Sequence, residues 1–290
     1  MSLPTIDFLK LQLKLKGIHQ TRRLGQHFLI DEQLLGRIAD DVQAGPDSHV
    51  VEIGAGPGYL TTNLAARAGA VTAIELDERL KPIHADAFGT ALSVQFVYGD
   101  AMRINLVEIA RERAAELNLT RMQLTGNLPF QITSPLLFDQ CGPGLPWSRM
   151  VFMVQREVAD RIVSPPGRKD YGVLSVKLAM WWRASRLMEV PARRFSPPPE
   201  VDATVVSFEP VAAEEQPTAE EWPGLSKFID AAFNQRRKKM VNSLAARLGV
   251  PGMKELATAA LEKIGHDENT RAEMLRPEEF RRMFRILRES

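Results

Sequence analysis

"HVVEIGAGPG", residues 49–58, is a short apolar run that breaks into Gly54, Gly56 and Gly58. An apolar run of that length bounded by turn residues reads as a buried strand, and Leu60 and Leu64 beyond it read as one helix face. Glycine belongs where a backbone must turn tightly and approach a ligand with no Cβ in the way. The stretch therefore predicts strand, ligand loop and helix, the opening unit of a parallel sheet. The same alternation extends outward. "IDEQLLGRIADDV" before it is an amphipathic helix with Asp31 as N-cap. After it come "AVTAIELD" as a second strand, with Asp77 as N-cap of the next helix, and "VQFVYGD" as a third. Pro82 predicts a kink or a late start in the helix between them. A helix from about Asn105 to Leu117 leads to "MQLTGN", with "RMVFMVQ", "VLSVKLAMWW" and "ATVVSFEP" as the fifth, sixth and seventh strands. Alternating strands and helices imply a mostly parallel sheet covered on both faces. The last two strands lack a crossover helix and are expected to pair antiparallel. Past residue 210 the pattern turns wholly helical. The expected divisions are an N-terminal segment (1–30), an α/β domain (31–210), a Glu- and Pro-containing linker (211–223) and a small helical domain (224–290).

Composition limits the possible functions. With 290 residues the chain is long for one core, so a large and a small domain fit. One cysteine, Cys141, excludes an intrachain disulfide and a thiolate zinc cluster, and fits a reducing compartment. No signal peptide is visible, and no apolar run approaches the ~20 residues of a spanning helix, so no membrane partner is expected. The net charge of +1 hides local asymmetry: "LKLKGIHQTRR" and "NQRRKKM" are basic, "AAEEQPTAEEW" acidic. Basic clusters are more often solvated faces than ligand sites, yet a reader of polyanions shows the same pattern. His19, His49, His84 and His266 have no metal-ligand spacing and read as surface or capping residues; no metal is expected.

Three acids or amides fall at successive strand ends. Glu75 ends the second strand, where a carboxylate accepts both hydroxyls of a ribose; Asp100 ends the third and suits an amino group such as adenine N6. The fourth strand ends in "LTGNLPFQITSPLLF", residues 124–138. Pro129 bars continuation of the strand. By itself this is an ordinary strand-to-helix turn, and nicotinamide and S-adenosylmethionine enzymes share the glycine loop and the acid. Beside a bound S-adenosylmethionine, however, the Asn127 side-chain oxygen and a carbonyl of Leu128 or Pro129 can accept both hydrogens of a base amine, and Phe130 can stack on the base. A hydride-transfer site leaves that turn unexplained, and no Ser-His-Asp triad or carboxylate dyad stands out.

In this combination the chain resembles the bacterial small-subunit (16S) ribosomal RNA adenine dimethyltransferases, relatives of the erythromycin-resistance methylases. The resemblance rests on "RRLGQHFL" (22–29), "VVEIGAGPGYLT" (50–61), "IELD" (74–77), "YGDAM" (98–102), "GNLPFQITSPLL" (126–137), "FSPPPEVDATVV" (195–206) and "FNQRRKKMVNSL" (233–244), in order along nearly the whole chain. It implies a Rossmann-like methyltransferase sheet with a C-terminal helical RNA-binding domain. The implied activity is methyl transfer to N6 of two adjacent adenines in a hairpin loop near the 3′ end of the RNA, leaving S-adenosylhomocysteine. The small ribosomal subunit would be the partner and the cytoplasm the compartment, with no oligomer required. Carried over by residue, His27, Leu29, Gly54, Gly56, Glu75, Leu76, Asp100, Ala101 and Asn127 would hold the cofactor. Asn127, Leu128, Pro129, Phe130 and Phe195 would form the catalytic slot, and Arg22, Arg23, Arg236, Arg237, Lys238 and Lys239 would meet phosphates. His27 stands where some members have Asn, and Phe130 where many have Tyr. "YGVLSV" (171–176) also matches, with no role assigned. A ribosome-assembly factor with secondary methylase activity is the alternative.

Overall fold

The structure is a computed structural model that describes residues 3–21 and 25–289, the side chain of Phe130 excepted. It divides into two compact units. One comprises Met1–Leu136, Leu145–Ala159 and Ser185–Pro210; the other comprises Leu137–Gly144, Asp160–Ala184 and Val211–Ser290.

The first unit opens with helix α1 (Ile6–Leu15), strand β1 (Phe28–Leu29) and helix α2 (Glu32–Asp41). Asp31 caps α2 by accepting the Leu34 N–H at 3.0 Å, as expected. Then β2 (Ser48–Ile53), α3 (Tyr59–Ala65), β3 (Ala70–Glu75), α4 (Lys81–Phe88), β4 (Val94–Tyr98), α5 (Leu106–Glu116), β5 (Arg121–Asn127), α6 (Phe130–Asp139) and β6 (Trp147–Gln155) alternate as the sequence requires. Pro82 sits in the first turn of α4, where its missing N–H costs nothing, behind a 3₁₀ turn capped by Asp77. Helices α7 (Arg156–Val163) and α8 (Val173–Ala179) precede β7 (Trp182–Val190), β8 (Phe195–Ser196) and β9 (Ala203–Pro210). The seven-stranded sheet runs β4-β3-β2-β5-β6-β9-β7. Its β2–β3, β2–β5, β3–β4 and β5–β6 pairs are parallel, while β9 lies antiparallel on β6. Both β2 and β3 are buried at every residue, as strands covered on both faces must be. A separate two-stranded ladder joins β1 to β8 and sets Leu29 opposite Phe195.

Three readings of the sequence are corrected. "VLSVKLAMWW" is helix α8 followed by the start of β7, not one strand. Residues 174–178 are buried in succession, polar and apolar alike, so no period distinguishes helix from strand, and the Ser175 hydroxyl accepting the Gly172 N–H at 3.1 Å fixes the helix start. Helix α1 lies in the N-terminal segment, to which the sequence reading assigns no element; Ile6, Leu9 and Leu13 bury one stripe, and Thr5 caps it. His49 and His84 are buried in the core rather than exposed.

The second unit holds α8 with α9 (Trp222–Phe233), α10 (Met240–Leu248), α11 (Met253–Lys263) and α12 (Pro277–Arg288). The Tyr171 hydroxyl, fully buried, donates to the Leu275 carbonyl at 2.7 Å, and Lys177 pairs with Asp230 at 2.8 Å. Those ties group 160–184 with the late helices in the unit that resumes at Val211. "YGVLSV" thereby acquires a role, anchoring α8 inside the helical unit.

Candidate active site

The glycine loop leaves β2 at its carboxyl end. Its path is fixed by Gly54 N–H and Ala55 N–H, which both donate to the Ile74 carbonyl, at 2.9 and 3.1 Å. Gly56 has φ of +55°, and a Cβ there would stand 2.9 Å from the Phe28 ring, so both conformation and space demand glycine. Two buried side chains grip its peptide groups. Glu75 Oε2 accepts Gly56 N–H at 2.6 Å, and His84 Nε2 lies 2.8 Å from Gly56 O. A carbonyl can only accept, so Nε2 carries the proton and Nδ1 accepts from the Tyr98 hydroxyl at 2.8 Å. Burial pulls the His84 pKa down to about 4, so the ring is neutral at neutral pH. Behind the loop, Thr61 donates to Glu52 at 2.6 Å; burial pushes that carboxyl up to about 8, holding it protonated at neutral pH.

Glu75 Oε1 accepts a second amide, Asp77 N–H, at 2.8 Å. Burial raises its pKa, and the backbone amides of Asp77, Gly56 and Leu76 work against that rise. A carboxyl has acceptor positions beyond those its backbone amides use, and Glu75 lines the cleft where a vicinal diol would lie. Asp100 Oδ1 accepts Met102 N–H at 2.9 Å, and its Oδ2 lies 3.7 Å from the exposed Arg103 Nε, at the rim where an amino group would arrive. These acids line a cleft together with Gly54, Gly56, Leu76, Ala101 and Asn127. The residues present thus fit S-adenosylmethionine: a Cβ-free loop, paired acceptors for the ribose and a carboxylate for the adenine.

Asn127 ends β5 with its side-chain nitrogen donating to the His27 carbonyl at 2.9 Å. That carbonyl forces the amide's orientation and leaves Oδ1 as its accepting end. The residue also lines a second, small cavity with His27, Leu128, Pro129, Phe195 and Pro199. Asn127 and Pro129 therefore wall both spaces. The Pro129 carbonyl is occupied, accepting Ile132 N–H and the Thr133 hydroxyl, each at 3.1 Å.

Most cofactor residues read from the sequence converge here. Gly54, Gly56, Glu75, Leu76, Asp100, Ala101, Asn127 and His27 all line the cleft. Leu29 does not; it lies in β1 and faces a smaller neighbouring cavity with Gly54 and Asn127. Gln26 and Phe28 line the cleft and were missed, although "GQHFL" carried them. Phe195 is 4% exposed, set into the second cavity's wall by the β1–β8 ladder. The Phe130 side chain, Arg22 and Arg23 lie outside the described residues. In the helical unit, Arg237 and Lys238 are exposed in the α9–α10 turn. Arg236 instead ties to Glu273 and the Lys169 carbonyl, and Lys239 to Glu268 at 2.9 Å.

The parallel-rich sheet and this cleft define an S-adenosylmethionine-dependent methyltransferase. Residues 18–289 match the family described as ribosomal RNA adenine dimethylase. The chain is 37% identical over 273 residues to the ribosomal RNA small subunit methyltransferase A of Geobacter metallireducens, covering 94% of this chain and 97% of that one. Its structure is similar to a dimethyladenosine transferase of Plasmodium falciparum, with TM-score 0.74 at 21% identity over 87% of this chain and 94% of that one. It is also similar to the 23S rRNA methyltransferase ErmE, with TM-score 0.66 at 25% identity over 90% and 99%. The chain belongs to the ribosomal RNA adenine dimethylase family. Among the described residues no cluster of metal-ligating side chains occurs, and no helix is long and apolar enough to cross a membrane.

Proposed function

We propose that this protein dimethylates N6 of two adjacent adenines in a hairpin loop near the 3′ end of small-subunit ribosomal RNA. Bound in the cleft, S-adenosylmethionine supplies an electrophilic methyl group. The adenine, flipped from its stack, approaches Asn127 from the side of the second cavity. Asn127 Oδ1 accepts one N6 hydrogen, and the Leu128 carbonyl accepts the other; Pro129's carbonyl already serves α6. With both hydrogens held by the protein, the N6 lone pair would be aimed at the methyl group that a bound S-adenosylmethionine would supply. The N–C bond forms as the sulfur–methyl bond breaks, and the proton leaves to solvent. Positioning supplies the acceleration, with no strong base required. Phe195 packs against the base, and base–aromatic stacking is worth roughly 1–3 kcal/mol. Exposed Arg237 and Lys238 make the helical unit the better candidate for phosphate contacts, with 1–30 as the second.

The observation that carries this reading is Asn127, a wall of both cavities with its amide oriented by His27. Single-turnover transfer by Asn127→Ala tests it. The variant is expected to bind cofactor and RNA within a few-fold of wild type and to transfer no methyl; transfer at the wild-type rate defeats the mechanism.

A further inference from the structure

Gln26 joins the N-terminal segment to the strand end that carries Glu75. Its Oε1 accepts Thr21 N–H at 2.8 Å, and its Nε2 donates to Asp77 Oδ2 at 2.9 Å. Asp77 is 5% exposed and also takes Arg79 Nε at 2.8 Å and Nη2 at 2.6 Å. The same Arg79 Nη2 reaches back to the Thr21 hydroxyl at 2.6 Å. These four residues close a hydrogen-bonded ring that ties Thr21 and Gln26 to Asp77 and Arg79. Two consequences bear on the cleft. Asp77 N–H is one of the amides on Glu75, so the ring abuts the ribose acceptor. Residues 25–28, which the ring positions, line the cleft, and His27's carbonyl orients Asn127.

We propose that Gln26 is a positioning residue, whose neutral amide on Asp77 holds the 25–28 wall against the cofactor and so sets both cofactor affinity and the aim of Asn127. Resting on the cleft's being the S-adenosylmethionine site, it adds to that reading a residue that need not touch the reacting atoms. The amide is what the place requires. Oε1 must accept and Nε2 must donate, and the groups facing it are Asp77, Arg79 and, through Asp77, Glu75. The Arg79 hydrogen bonds hold the Asp77 carboxyl below its usual range, so it is ionised at neutral pH and needs a donor. A carboxylate in place of the amide would set two anions together; a protonated carboxyl would restore the donor.

The test uses the whole chain with S-adenosylhomocysteine as titrant in calorimetry, beside methyl transfer on small ribosomal subunits. For Gln26→Glu at pH 8, affinity is expected to fall about tenfold, the worth of one charge-assisted bond near 1.4 kcal/mol, with kcat reduced as well. At pH 5.5 the ratio of its Kd to that of wild type should shrink toward one. Gln26→Met, neutral and of similar length, should show the loss at both pH values, and it replaces Gln26→Glu in the comparison if that variant unfolds. A purely structural role would lower thermal stability while leaving affinity per folded molecule and its pH ratio unmoved, and that result overturns the proposal. Wild-type affinity in both variants overturns it too. Failure of the wild-type chain itself to bind S-adenosylhomocysteine would instead strike the cofactor reading on which the proposal stands.

Discussion

Glu75→Gln separates what holds the loop from what holds the ligand. The carboxylate accepts Gly56 N–H at 2.6 Å and Asp77 N–H at 2.8 Å. An amide keeps one acceptor and turns its NH₂ toward the other N–H, so one buried backbone donor loses its partner. That costs about 1–3 kcal/mol. Against this, the substitution removes a charge that burial disfavours, so thermal stability should change little. Binding has no such relief: the loop loses a grip at Gly56, and the ribose hydroxyls lose an anionic acceptor, whose bonds are roughly twice as strong as neutral ones. A loss near 1.5–3 kcal/mol is about 10- to 100-fold in affinity. Because burial raises the Glu75 pKa, wild-type binding should also weaken as pH falls through that raised value, and the Gln variant should lack this dependence. Calorimetric titration with S-adenosylhomocysteine between pH 4.5 and 8 reads both quantities. Affinity within twofold of wild type across that range would refute the assignment of Glu75 to the cofactor.

The same geometry carries other expected outcomes. Unfolding free energy should fall as pH drops from about 6.5 to about 4, because the unfolded chain protonates His84 while the folded one holds it neutral; this one residue contributes on the order of 3 kcal/mol. His84→Gln, which can still donate to Gly56, should lose that portion of the decline in urea titrations. Glu52 acts in the opposite sense: its raised pKa stabilises the fold below about 4.5 and the effect is lost as pH rises through about 8. Glu52→Gln should therefore flatten the alkaline side of the stability curve. Replacing Arg237 and Lys238 with Gln should weaken RNA binding and lower the slope of log K against log salt by about two. Adding Arg236 and Lys239 should change the slope less, since both are paired with carboxylates. An unchanged slope in the first pair would return that turn to an ordinary solvated surface.

The sheet was legible because β2 to β6 are short apolar runs punctuated by Gly, Asp and Asn, and each strand end carries a chemically distinctive residue. The same regularity exposed Glu75, Asp100 and Asn127 one strand at a time. Helix α8 was not legible, since its five consecutive buried residues, 174–178, leave no exposed position to reveal a period. Helix α1 was hidden by lysines whose alternation with leucine masks the Ile6–Leu9–Leu13 stripe. His49 and His84 looked like surface residues because their partners come from distant chain: Thr72 and the Ala110 carbonyl for one, Tyr98 and Gly56 for the other. Gln26 escaped for the same reason, its partner Asp77 lying 51 residues away.

The central claim is a reaction at defined atoms of an RNA. Purified protein and S-adenosylmethionine would be incubated with small ribosomal subunits from a strain lacking the modification, and the digested RNA analysed by mass spectrometry. Two neighbouring N6,N6-dimethyladenines near the 3′ end are predicted, absent when Asn127→Ala replaces the wild type. Bound cofactor with no dimethyladenine in that RNA, or methyl groups on another base, would contradict it.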